Sequence, residues 1–130
     1  MNKNSNIGFI GLGNMGKPIF DNLNKKFSNI FCFDRDTSKL KKNKFSSSLI
    51  EIFEKCKIII FCVESNEQII DIIKENKIKK NTVIVDLTSS LPDLTKKISS
   101  YLEKYESYYI DAGMSGGASG ATNGTLTLML

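Results

Sequence analysis

The stretch Ile7-Gly-Phe-Ile-Gly-Leu-Gly-Asn-Met-Gly-Lys17 sets Gly11, Gly13 and Gly16 between an apolar run and a helix start. That is the spacing of a dinucleotide cradle. Gly11 lets the chain leave a strand in a tight turn, Gly13 lets backbone approach a pyrophosphate, and Gly16 lets the helix pack closely on the strand. The helix that follows aims its unpaired N–H groups at the phosphates. Pro18 suits the first helical turn, where a missing N–H costs little and a fixed φ helps. Glycine triplets also make ordinary turns, so the spacing gains its weight from a surrounding strand–helix–strand unit.

Outward from that stretch, short apolar runs alternate with helix-like segments, at residues 7–10, 30–33, 58–63, 83–85, 108–110 and 126–130. The first four read as parallel strands, apolar on both faces. Ser48 with Glu51 and Ser65 with Gln68 each match the capping box, and Ser90 ahead of Pro92 marks a third helix start. Ile69, Ile70, Ile72 and Ile73 form one apolar helix face that packs on the sheet. The alternation predicts an α/β fold of Rossmann type: a doubly wound, mostly parallel sheet with helices on both faces and ligands at the carboxyl ends of the strands.

The 130 residues make one domain, with enough apolar residues (41%) and few enough charges (25%) to exclude a disordered chain. The net charge of +4 reads as a solvated surface. Its densest basic run, KLKKNK at residues 39–44, lacks interleaved aromatics, which argues against a nucleic-acid groove and leaves a phosphate-bearing ligand compatible. The cysteines, Cys32, Cys56 and Cys62, are odd in number, and Cys32 and Cys62 sit inside apolar runs, so they read as reduced packing residues. With no histidine and no ligand-like cysteine spacing, a metal site is not expected. The opening MNKNSN lacks the uninterrupted apolar core of a signal peptide and no run reaches membrane-spanning length, so the expected location is the cytoplasm, away from membranes.

Ligand chemistry is expected in the loops after strands. Asp34, eighteen residues beyond Gly16, stands where a carboxylate accepts hydrogen bonds from the adenosine ribose, which favours NAD over NADP because a 2′-phosphate would meet like charge. Arg35, the only arginine beside seventeen lysines, stacks on adenine in one reading and grips a 2′-phosphate with Lys39 in the other. Val63, Glu64 and Ser65, and Thr88, Ser89 and Ser90, should border the cofactor, with helix capping as the alternative role for Ser65 and Ser90. Residues 111–127, DAGMSGGASGATNGTLT, pack five glycines ahead of an alternating TLTLML and read as a shaped loop on a rigid sheet. There Ser115, Gly116 and Gly117 would present a hydroxyl and N–H groups to a substrate carboxylate.

These residues resemble the 3-hydroxyisobutyrate dehydrogenase group of β-hydroxyacid dehydrogenases, related to 6-phosphogluconate dehydrogenase. GFIGLGNMGKP resembles its opening signature, FCVESNEQII its second cofactor loop, VDLTSSLPD its Asp-x-Ser-Thr loop, and DAGMSGGASGATNGTLTLML its substrate loop and following strand. The resemblance implies cofactor contacts at Leu12, Asn14, Met15, Val63, Glu64 and Ser89, and substrate-carboxylate binding by Ser115, Gly116 and Gly117. Glu64 stands where the family usually has proline, Thr88-Ser89 reverses its Ser-Thr order, and Gly113-Met114 replaces its Pro-Val. The segment from Asp34 to Ser48 is shorter than the family's.

It further implies that residues 1–130 are the NAD(P)-binding domain alone, without the helical second domain that carries the family's catalytic lysine and builds its homo-oligomer. No lysine of this chain follows Gly113, so no catalytic residue is assigned. Such a chain binds cofactor and turns over little, because a positioned proton donor supplies ~10²–10⁴-fold in rate. The implied substrate is a small carboxylate-bearing hydroxyacid or semialdehyde. A stand-alone dinucleotide-binding module without turnover, and an imine or semialdehyde reductase relative, are the competing readings. Leu126, Leu128 and Leu130 are expected to leave an apolar edge that drives self-association.

Overall fold

Strand β1 (Ile7–Ile10) is buried at every position, as a strand must be when it has neighbours on both edges and helices on both faces. The computed structural model describes residues 5–40 and 45–130, so part of the basic run, residues 41–44, and the first four residues lie outside the described residues. β2 (Ile30–Phe33) and β3 (Ile58–Phe61) flank β1 in parallel, with Ile7 opposite both Ile30 and Ile58. β4 (Val83–Asp86) and β5 (Tyr108–Asp111) extend the sheet to the order β2-β1-β3-β4-β5. The chain runs one way from β1 to β2 and the other way from β2 to β3, so the direction of winding reverses beside β1. There a cleft opens at the carboxyl ends.

Alternation along the strands divides the core into two layers. Phe20 of α1 (Gly16–Asn24) packs with Ile7, Phe9, Ile30 and Cys32 on one face. On the other face Ile52 and Phe53 of α2 (Leu49–Lys55), Ile69 and Ile73 of α3 (Asn66–Glu75), and Ile98 and Leu102 of α4 (Pro92–Glu103) pack over Ile10, Ile59, Phe61 and Ile84. The fold is therefore the doubly wound α/β arrangement that the alternation predicts. Ile70 and Ile72 flank the α3 stripe and are half-buried, so the face is narrower than four isoleucines suggest.

Gly8 has a role of its own: a Cβ there would lie 2.5 Å from Ile52 Cγ2, so the missing side chain is what lets α2 settle on β1. Cys32 and Cys56 are buried and Cys62 is half-buried.

Several local expectations are corrected. Ser48 and Ser65 do cap their helices, accepting from Glu51 N at 3.1 Å and Gln68 N at 3.4 Å. The return bonds of a capping box go elsewhere: Glu51 Oε2 accepts from Ser47 Oγ, and Gln68 Oε1 accepts from Glu64 N. Ser90 caps nothing. Leu91 occupies the N-cap of α4 without a side-chain bond, and Ser90 Oγ turns instead toward Asp111 and the Thr88 carbonyl. The third strand stops at Phe61, short of residue 63, because the chain bends there to bring the Cys62 carbonyl against Gly11.

The glycine-rich segment is not a loop. It contains β6 (Gly113–Ser115), α5 (Gly117–Asn123) and β7 (Thr127–Met129), with β6 and β7 paired antiparallel outside the main sheet. Helix α5 docks on α1, where Asn22 Nδ2 donates to the Ala121 carbonyl at 2.8 Å. Gly124 ends α5 in the left-handed region at φ 70°, where a side chain would be strained. Leu126 is tucked under α5 against Gly116 and Gly120, so it is not part of the apolar edge. Leu128, Met129 and Leu130 form that edge, with relative exposures of 50%, 57% and 89%.

Candidate functional site

The cleft at the strand ends encloses about 790 Å³, and each wall comes from a different part of the fold. Gly11, Gly13, Asn14, Met15 and Gly16 form its floor, Asp34, Arg35 and Lys39 one end, and Val63, Glu64, Thr88 and Ser89 the other. One side is a helix face not anticipated from sequence: Gln68, Asp71, Ile72 and Glu75 recur at helical spacing along α3, and Leu49 joins them from α2. The signal for that face was present in the i, i+3/i+4 spacing, which the apolar stripe on the opposite side of the same helix overshadowed.

The three glycines of the floor are required for different reasons. A Cβ on Gly11, whose φ is +105°, would fall 2.1 Å from the Cys62 carbonyl oxygen. On Gly16 it would fall 1.9 Å from the Gly11 carbonyl oxygen, where the helix crosses the strand exit. On Gly13 it would meet nothing within 4 Å. No protein atom therefore demands a glycine at position 13, and the space a Cβ would take is open cleft. A ligand that needs close backbone approach fits that observation, and a dinucleotide pyrophosphate is such a ligand. Lys17 N donates to the Gly13 carbonyl at 3.0 Å and Ile19 N to the Met15 carbonyl at 3.4 Å, which closes the first turn of α1 beside the same floor.

Leu12 is placed differently from its neighbours. Its side chain is buried in the core layer under α1, and its N–H donates to Asp34 Oδ2 at 2.7 Å. Asp34 Oδ1 accepts from Asp36 N at 2.8 Å. The carboxylate thus holds the glycine loop to the end of β2, and each oxygen keeps lone-pair capacity for a hydroxyl donor. Past it, among the described residues of the crossover, lies one 3₁₀ turn, Thr37–Lys39, capped by Asp36. Among the described lining residues the acidic groups Asp34, Glu64, Asp71 and Glu75 outnumber the basic Arg35 and Lys39.

At the other end the two loops are tied together. Val63 N donates to Thr88 Oγ1 at 3.3 Å, and Thr88 N donates to the fully buried Asp86 at 2.7 Å. Cys62 lies beside this junction, and burial, reinforced by the Asp86 charge, pushes its thiol up to about 11. Tyr109 donates to Asp86 Oδ2 at 2.5 Å, and burial first, with that hydrogen bond second, raises its phenol well above the usual range.

A second, smaller hollow of about 390 Å³ adjoins this end, lined by Leu87 to Ser90, Asp111, Gly113, Met114, Met129 and Leu130. Leu87, Thr88, Ser89 and Met114 line both hollows. Ser115, Gly116 and Gly117 line neither. Ser115 is held in β6 opposite Thr127, while Gly116, at φ +128°, turns the chain into α5 and away toward α1. All three are exposed.

Residues 6–130 match the family described as the NAD binding domain of 6-phosphogluconate dehydrogenase. The mitochondrial 3-hydroxyisobutyrate dehydrogenase of Mus musculus is 31% identical over 134 residues, covering 95% of this chain and 40% of that protein. The 2-(hydroxymethyl)glutarate dehydrogenase of Eubacterium barkeri is 33% identical over 145 residues, covering all of this chain and 46% of that protein. Among solved structures, the 3-hydroxyisobutyrate dehydrogenase of Mycobacterium tuberculosis, crystallised with L-serine, superposes with a TM-score of 0.88 at 22% identity, over 97% of this chain and 46% of that one. The chain spans less than half the length of these relatives. Among the described residues, no helix is long and apolar enough to cross a membrane.

Proposed function

We propose that this chain, which belongs to the family of the NAD binding domain of 6-phosphogluconate dehydrogenase, is the cofactor-binding part of an oxidoreductase that moves a hydride between a nicotinamide dinucleotide and a small 3-hydroxyacid. One observation carries the binding half of this reading: protein atoms crowd Gly11 and Gly16 and leave Gly13 open. The substrate half rests on the likeness to relatives named for 3-hydroxyisobutyrate and 2-(hydroxymethyl)glutarate.

In this reading the pyrophosphate lies over Gly13 and the start of α1, with Asn14 and Met15 beside it, and the adenosine ribose meets Asp34. NAD is preferred over NADP. A 2′-phosphate would add negative charge to an end that Asp34 already occupies, in a cleft where carboxylates outnumber cations among the described lining residues. Arg35 and Lys39 are the groups that would serve a 2′-phosphate if that preference were reversed. The nicotinamide half extends toward Val63, Glu64 and Ser89, and the bound cofactor supplies the hydride chemistry. Ser115, Gly116 and Gly117, exposed and outside both hollows, are assigned the substrate carboxylate on the family resemblance alone. The cysteines, read as reduced packing residues, suit a reducing compartment, the cytoplasm.

Calorimetric titration of the purified chain with NADH and with NADPH tests the proposal. Saturable binding with NADH the tighter ligand is expected. A folded chain that binds neither refutes the cradle, and tighter NADPH refutes the role given to Asp34.

A further inference from the structure

Asp86 is fully buried at the carboxyl end of β4, and its oxygens gather hydrogen bonds from separate elements. Oδ1 accepts from Thr88 N at 2.7 Å, in the loop that follows. Oδ2 accepts from Asn66 Nδ2 at 2.8 Å, at the start of α3, and from Tyr109 Oη at 2.5 Å, on β5. Asn66 in turn accepts from Leu91 N at 3.0 Å through Oδ1, which fixes the start of α4. Thr88 Oγ1 accepts from Val63 N at 3.3 Å and so carries the connection back to the loop after β3.

A buried carboxylate is costly unless its lone pairs are filled, and here the filling groups come from β5, from the start of α3 and from Thr88 and Ser90 in the loop after β4, while the start of α4 and the loop after β3 are tied in through Asn66 and Thr88. A fold that needed only stability would do as well with an apolar side chain at this point. What the carboxylate adds is position: it sets the Val63 and Thr88 backbones relative to each other, and these two residues form the end wall away from Asp34.

We infer that Asp86 is a positioning residue for the nicotinamide half of the dinucleotide, acting through Thr88 and Val63, with Asn66 and Tyr109 holding it in place. The inference rests on the dinucleotide reading above and adds a division of labour to it. The adenosine and pyrophosphate end depends on Asp34 and the glycine floor, and the opposite end depends on Asp86. Damage to the Asp86 cluster should therefore weaken ligands that reach the second half and spare those that stop at the pyrophosphate.

The test is calorimetric titration of the chain and four variants, Thr88→Val, Thr88→Ser, Tyr109→Phe and Asp86→Asn, with NADH and with ADP. ADP carries the adenosine and pyrophosphate only. Thr88→Val removes the acceptor of the Val63 N–H, and Thr88→Ser restores it. Losing one such hydrogen bond should weaken NADH about three- to tenfold in Thr88→Val and Tyr109→Phe. ADP should be unchanged in both, and NADH should return to the parent value in Thr88→Ser. Asp86→Asn should show the largest selective loss; if it fails to fold, the other variants decide.

Equal weakening of NADH and ADP, or unchanged NADH binding in Thr88→Val, overturns the inference and makes the cluster purely structural. Failure of the parent chain to bind either ligand overturns the dinucleotide reading itself, and the inference with it. Binding of ADP but not NADH by the parent keeps the cradle and removes the role given to Asp86.

Discussion

Substituting alanine at each glycine of the floor in turn should separate folding from binding. At Gly16 the new Cβ would stand 1.9 Å from the Gly11 carbonyl oxygen, about 1.5 Å short of ordinary contact, and the obstacle is backbone. Overpacking of this kind costs about 1–3 kcal/mol and more where the neighbour cannot move. For a chain of this size that lowers Tm by roughly 10 °C. Gly11→Ala adds a strained φ of +105° to a 2.1 Å approach and should be at least as damaging. Gly13→Ala is different, because nothing lies within 4 Å of its Cβ and its φ is outside the left-handed region. There the loss of unfolded-state freedom should stabilise the chain by about 0.4–1 kcal/mol. The same methyl occupies the space assigned to the pyrophosphate, so NADH affinity should fall by about tenfold or more. Thermal unfolding with calorimetric titration reads both effects. A Gly13→Ala chain that binds NADH like the parent, or that loses Tm as Gly16→Ala does, would refute the argument.

At position 8, Gly8→Ala should cost about 1–3 kcal/mol through its 2.5 Å clash with Ile52 Cγ2. Ile52→Leu, which removes that methyl, should recover part of the loss in a double-mutant cycle by denaturant unfolding. Asp34→Asn should narrow the gap between NADH and NADPH in titration by removing the charge that opposes a 2′-phosphate; an unchanged ratio would place the preference elsewhere. Burial pushes Cys32 up to about 11 and Cys56 up to about 12 from an ordinary 9.0, so the folded chain keeps protons that the unfolded chain releases. Their contribution is whole below pH 9.0 and is lost as pH climbs through the folded values, so Tm should fall above pH ~9; replacing both residues with alanine should flatten that limb. Cys62, raised to about 11 but lining the cleft, should be the first thiol alkylated at neutral pH, slowly, and NADH should protect it, as mass spectrometry would show.

What could be read in advance, and what could not, divides along one physical line. The parallel strands were legible because burial on both faces requires unbroken apolar runs, and IFCF, IIIF and VIVD can do little else. Gly11 and Gly16 were legible because close approach of backbone to backbone leaves no other residue available. Within residues 113–129 only β7 was legible, from the alternating run at 126–130, since the Gly, Ala, Ser and Thr ahead of it carry no apolar period; α5 exists because α1 offers Asn22 to its carbonyls and because Leu126 fits over Gly116 and Gly120. Ser90 reads as a helix cap in sequence but stands one residue ahead of the N-cap, where carboxylates from β4 and β5 accept its hydroxyl. The same limit governs the candidate site. Groups that would face a ligand through backbone, at Gly13 and the start of α1, show in local sequence, whereas the Asp86 cluster draws on residues from 66 to 109 that only the sheet order brings together. A single-residue signature can mark where a dinucleotide would be held, but the end where its chemistry would occur is built from contacts that have no local sequence pattern.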